Sequence, residues 1–119
     1  MRVFIFEDSD HLRGSLERAL VGYGYIVQAA GVIEPLLSAV REGDVVVANG
    51  LRDAQGRTIP ELLIESQRLL PVVQITGDPD ATQHELATAL LRKPFNLPSL
   101  LSAVMGASKV AKRLAEVTR

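Results

Sequence analysis

The chain contains no cysteine and no tryptophan, and only 4% of it is aromatic. Without cysteine there is no disulfide framework, no thiolate nucleophile and no cysteine zinc site. Histidine is nearly as scarce: His11 and His84 lie far apart in sequence and leave little for a histidine metal site. No apolar run reaches the roughly 18 residues of a membrane span. The opening Met1-Arg2-Val3-Phe4-Ile5-Phe6 turns acidic at Glu7-Asp8 too soon for a signal peptide, so the expected address is cytoplasmic. An excess of one charge is also lacking. The formal net charge is −1, which gives no electrostatic case for nucleic acid or a membrane surface. A basic lean is confined to the end, where Lys109, Lys112, Arg113 and Arg119 stand against Glu116 alone.

What is present is a 119-residue chain, 47% hydrophobic, long enough to bury one core. It has no internal repeat, low-complexity tract or Pro/Gly-rich linker. Short aliphatic runs, Val3–Phe6, Ile26–Ala29, Val45–Ala48, Val72–Ile75 and Ala89–Leu91, are bounded by polar or turn residues. Continuous runs of this kind suit parallel strands covered on both faces.

Amphipathic segments lie between the runs. Leu12, Leu16, Ala19 and Leu20 share one helical face that ends at Gly22. Ile33, Leu36, Leu37 and Val40 make a second face, ending near Gly43. Thr58-Ile59-Pro60-Glu61 is a capping box with proline in the first turn, opening a third helix through Leu62, Leu63 and Leu69. A fourth segment, around Ala81 to Ala87, is short and weakly apolar. The last starts at Asn96 as N-cap with Pro98 in its first turn. This alternation predicts an α/β fold, a flavodoxin-like (βα)5 doubly wound parallel sheet in strand order 2-1-3-4-5. Ligands in such sheets bind beyond the carboxyl ends of the strands.

Glu7 and Asp8 follow the first strand, Asn49 the third, Thr76-Gly77 ends the fourth, and Lys93-Pro94 follows the fifth. Any one of them alone reads as a cap or a turn. Together they place two carboxylates, a carboxamide, a hydroxyl and an ammonium on one rim. Paired carboxylates hold a hard divalent cation, while lysine and threonine meet phosphoryl oxygens. The missing part is a nucleophile. An aspartate at position 49 would attack phosphorus, and the neutral amide of Asn49 is too poor a nucleophile to do so.

These residues resemble a response-regulator receiver domain over nearly the whole chain. Val3-Phe4-Ile5-Phe6-Glu7-Asp8-Ser9 is similar to that family's first strand and acidic pair. Asp44-Val45-Val46-Val47-Ala48-Asn49 is similar to its third strand, with Asn49 at the phosphoacceptor position. Thr76 matches the switch hydroxyl, and Lys93-Pro94-Phe95 matches the lysine and a cis proline, so Pro94 is the cis candidate. The resemblance implies a metal site from Glu7, Asp8 and the Leu51 backbone carbonyl. With Asn49 neutral, Mg²⁺ binding there is expected to be weak or absent. Leu90 stands where the family has an aromatic switch residue. The 17 positions from Thr76 to Lys93 are fewer than is usual, so the fourth helix is short or poorly formed.

Residues 1–119 thus read as one atypical, pseudo-receiver domain of a two-component system, with any output domain absent or removed. It is not expected to be an enzyme, since self-phosphorylation would need aspartate in place of Asn49. The expected role is phosphorylation-independent protein–protein interaction with a histidine kinase or a downstream signalling protein. A homodimer would form through the face of the fourth helix, fifth strand and fifth helix. The alternative is a conventional Mg²⁺-dependent phosphoacceptor, if Asn49 is an engineered replacement of aspartate or if Asp53 substitutes. A small-ligand flavodoxin-like domain is third, because Glu7-Asp8-Ser9-Asp10 would repel phosphate. Asn49-Gly50 is also the pair most open to deamidation, since glycine does not hinder attack by its backbone nitrogen.

Overall fold

The computed structural model describes residues 1–117, so Arg119 of the basic end lies outside the described residues. Strands β1 (Arg2–Phe6), β2 (Ile26–Ala30), β3 (Val45–Ala48), β4 (Val72–Thr76) and β5 (Ala87–Arg92) form one sheet. Its order is β2-β1-β3-β4-β5 and every pairing is parallel. The helices are α1 (Asp10–Gly22), α2 (Ile59–Glu65) and α3 (Leu97–Val117), with a 3₁₀ turn over Leu36–Ala39.

Strand periodicity divides the core in two. Val3, Ile5, Val45, Val47, Val73 and Ile75 point to one face, where Leu16 and Leu20 of α1 and Leu100, Leu101 and Val104 of α3 cover them. Phe4, Phe6, Val46, Ala48 and Val72 point to the other, against Ile33, Leu37, Val40, Ile59 and Leu63. The central strands are therefore buried on both sides, as their unbroken apolar sequence requires. At their starting edge, Asp44 is buried and accepts from Arg2 Nε at 3.0 Å and Nη2 at 2.7 Å, and from the Arg41 N–H at 2.8 Å.

Three expected helices differ from what forms. The second face keeps its buried residues Ile33, Leu37 and Val40 but coils only into the 3₁₀ turn. Pro35, which has no N–H and restricts Glu34 before it, sits inside that segment. The third helix stops at Glu65 and leaves Leu69 exposed. It closes in a Schellman motif: Gln67 N–H donates to Ile64 O at 2.9 Å, and Arg68 N–H to Leu63 O at 3.0 Å. Gln67 takes the left-handed conformation there, at φ 56°. The fourth segment forms no helix. Residues 77–86 run as a loop, and Ala87 already belongs to β5. The loop is tied down by His84 N–H donating to Gln74 Oε1 at 2.6 Å and by Arg92 Nη2 donating to Ala81 O at 2.5 Å. The dimer face anticipated for the fourth helix, fifth strand and fifth helix consequently lacks its first element.

The first helix ends in the same motif with Gly24 at the left-handed position, whereas α2 places a side-chain-bearing residue there. Gln67→Gly is expected to raise unfolding stability by about 0.5–1 kcal/mol, the left-handed penalty less the added chain entropy. A urea midpoint at unchanged slope measures it.

Candidate functional site

The strand ends meet on one rim, as the topology demands. Asn49 continues β3 in register, its N–H donating to Phe6 O at 3.1 Å. That places its carboxamide beside the turn in which β1 passes into α1. Asn49 Nδ2 donates to Glu7 Oε2 at 2.9 Å and to Asp8 Oδ1 at 2.7 Å. Asn49 Oδ1 accepts the Leu51 N–H at 3.0 Å, an Asx turn that holds the amide by its other end. One carboxamide thus bridges both acids.

Glu7 is fully buried. Its Oε2 also accepts the Ser9 N–H at 3.0 Å, and its Oε1 meets Lys93 Nζ at 2.7 Å. The lysine contact is an ion pair that no other donor supplements at that oxygen. Lys93 pairs with Glu7 and not with Asp8. Burial explains the choice of Glu7, because the acid without water gains most from a cation, while Asp8 keeps its solvent. Lys93 is positioned through its backbone, with its N–H on Thr76 O at 2.7 Å, and the Lys93–Pro94 bond is cis.

The Asp8 carboxyl is held below its usual value of 3.8, first by hydrogen bonding with the Glu7 carboxyl and next by the Asn49 amide, with the Lys93 charge a smaller contribution.

Thr76 belongs to the rim by position only. Its Oγ1 accepts the Asp78 N–H at 3.0 Å, so the hydroxyl closes its own turn. Asp53 is engaged within its loop: Oδ1 accepts from the Gln55 N–H at 3.0 Å and the Arg57 N–H at 2.9 Å, and Oδ2 from Arg57 Nε at 3.0 Å. Arg57 N–H is the chief cause that lowers the Asp53 carboxyl. Leu90 lies in β5 opposite Gln74 of β4. Because no helix covers residues 77–86, a cavity of about 270 Å³ opens beside Asn49, with Arg52, Gln74, Thr82 and His84 in its walls.

The residue that sequence reasoning missed is Arg13. Its Nη1 donates to Glu7 O at 2.9 Å and its Nη2 to Asp10 at 2.6 Å, bracing the acidic turn from α1. Gly31 makes room for it, since a Cβ there would lie 2.8 Å from Arg13 Nη1. The only signal in the sequence was a cation one helical turn beyond the acids.

The donor set does not fit a divalent cation as it stands. Asn49 turns hydrogens, not lone pairs, toward the carboxylates, and Lys93 already neutralises Glu7. Among the described residues, no group of three or more His, Asp or Glu side chains is arranged to hold a metal ion.

No family model matches the chain, and no curated protein matches it. Solved structures do. The response regulator StyR is similar with a TM-score of 0.84 and 24% identity over 98% of this chain, which spans 64% of that one. FixJ-N is similar with a TM-score of 0.74 and 24% identity, covering 91% of this chain and 93% of its own. A response regulator receiver domain protein from Clostridium thermocellum gives 0.78 and 21% identity, covering 95% and 98%. At these identities the likeness establishes the fold. The chain has the flavodoxin-like architecture of CheY-like receiver domains.

Two measurements test the site. Asn49→Ala is expected to cost on the order of 2 kcal/mol in chemical denaturation, since buried Glu7 loses a donor and the two acids lose their shared amide. A cost under about 0.5 kcal/mol, the scale of neutral surface changes, would contradict the bridge. A carboxyl depressed in the folded state adds stability above its unfolded value and loses it as pH falls through the folded one. Stability is therefore expected to decline as pH drops below about 3.8, more gently in Asp8→Asn, read as Tm against pH.

Proposed function

We propose that the chain is a receiver-type signalling module of a two-component system that works by protein–protein contact without being phosphorylated. The observation that carries this reading is the Asn49 amide donating to both Glu7 and Asp8. In this role Asn49 occupies the degenerate phosphoacceptor position. Its amine supplies partial positive charge where a metal would otherwise relieve the repulsion of the acids, and it offers no nucleophile. Mg²⁺ binding at Glu7, Asp8 and the Leu51 carbonyl is then weak at best. Lys93 serves as counter-ion to Glu7, and the Thr76 hydroxyl is committed to its turn.

Such a module presents one surface at all times, a cytoplasmic partner for a histidine kinase or a downstream signalling protein. With the fourth helix absent, the face available for a partner or a second copy is built from β5 and α3. No enzymatic turnover is part of the role.

Incubation with acetyl phosphate and Mg²⁺, followed by intact-mass spectrometry, tests the reading. No phosphoryl group is expected on the parent protein, and Asn49→Asp is expected to gain one. A phosphorylated parent would overturn the proposal, and mapping the group would decide between Asp53 and another acceptor.

A further inference from the structure

The Asn49–Gly50 peptide combines a reactive sequence with an unusual setting. The chain has two asparagines, Asn49 and Asn96, and only the first precedes glycine. Among the described residues no acceptor takes the Gly50 N–H, so the attacking nitrogen is not tied up in a hydrogen bond, and a Cβ built at Gly50 meets nothing within 4 Å. The Asx turn curls the Asn49 side chain over its own following peptide, so that Cγ and the Gly50 nitrogen lie within the same hydrogen-bonded ring. The Leu51 N–H that closes this ring points at Oδ1, where charge develops when Cγ is attacked. Asn96 offers none of this. Its Oδ1 caps α3 through the Ser99 N–H at 2.8 Å, and Leu97 follows it.

We infer that Asn49 is a self-modifying site that converts its carboxamide into a carboxylate. The Gly50 nitrogen gives its proton to water and attacks Asn49 Cγ. The Cγ–Nδ2 bond then breaks, ammonia leaves carrying the proton returned by water, and a five-membered imide remains. One water molecule opens that imide to aspartate or isoaspartate. No redox partner is needed, and the overall change is asparagine plus water giving a carboxylic acid plus ammonia.

Glu7 and Asp8 set the pace. By accepting both Nδ2 hydrogens they deepen the amide resonance and hold the leaving nitrogen, so conversion in the folded protein is slower than in a free peptide of the same sequence. The product reverses the local logic. Two hydrogen bonds become repulsions among three carboxylates, and Lys93 alone cannot neutralise them. The rim then favours a divalent cation that the unconverted rim resists. The inference rests on the chemistry of this peptide and not on the partner-binding role.

The test ages the full-length protein in mildly alkaline buffer and follows the mass gain of an amide-to-acid exchange. Peptide mapping and enzymatic isoaspartate methylation locate it. Conversion confined to position 49, absent at Asn96 and slowed several-fold in Gly50→Ala, is the expected result. A Cβ at position 50 meets open space, so Gly50→Ala keeps the fold. In the aged, acidic fraction and in Asn49→Asp, added Mg²⁺ is expected to raise Tm, with no change in the unconverted protein. Retention of asparagine at 49 after many half-lives of the free peptide, or equal rates in Gly50→Ala, would overturn the inference. An Mg²⁺ response of the unconverted protein would instead count against the metal-independent rim under the proposed function.

Discussion

A fully buried glutamate at the end of β1 is the constraint on which this rim depends. A carboxylate removed from water costs several kcal/mol unless charge and hydrogen bonds replace the solvent. Glu7 receives three replacements: the Lys93 ammonium, the Ser9 N–H and the Asn49 amine. Each comes from a different strand end or turn, so satisfying one side chain draws three segments together. The asparagine contributes most to the outcome, because its second hydrogen also engages Asp8. A neutral group with two donors thereby closes a pair of like charges. An aspartate in the same place would add a third negative charge and offer no hydrogens.

A second departure acts independently of the first. The interval between β4 and β5 forms no helix, and the Thr76 hydroxyl closes the turn after β4. Leu90, without a ring, lies in β5. The Thr76 hydroxyl is thus committed to its own turn, and an aliphatic side chain stands in β5 opposite Gln74. The same missing helix opens the cavity beside Asn49, so the rim is more exposed on that side than a fully wound (βα)5 sheet would leave it.

Most of the architecture was legible because it rests on period and position. Five short apolar runs became five parallel strands, right-handed crossovers made the sheet doubly wound, and the flavodoxin-like order 2-1-3-4-5, the natural choice for five strands, is the one that forms. The rim residues followed from the rule that ligands meet strand ends, and Glu7, Asp8, Asn49 and Lys93 are indeed brought together. Helix lengths were less legible. Pro35 broke a segment whose apolar spacing was otherwise helical, and Gln67 ended another through a left-handed conformation that sequence does not announce. Partner choice was illegible for a different reason. Lys93 selects Glu7 over Asp8 by burial, which depends on how the turn after β1 packs. The contribution of Arg13 depends on a glycine eighteen positions away, a relation carried by space alone.

The central claim is that the Asn49 bridge holds the rim in one arrangement without metal or phosphoryl group. Backbone amide resonances of Ser9, Asn49 and Leu51 report on it directly, since each sits on a hydrogen bond of the clamp or of the strand that carries it. Titrating freshly prepared protein with Mg²⁺ and then a phosphoryl-mimicking beryllium fluoride should leave these resonances unmoved beyond general ionic-strength drift. A saturable, residue-specific shift of Ser9 and Leu51 on adding Mg²⁺ would show that the carboxylates bind the cation and that the amide gives way to it.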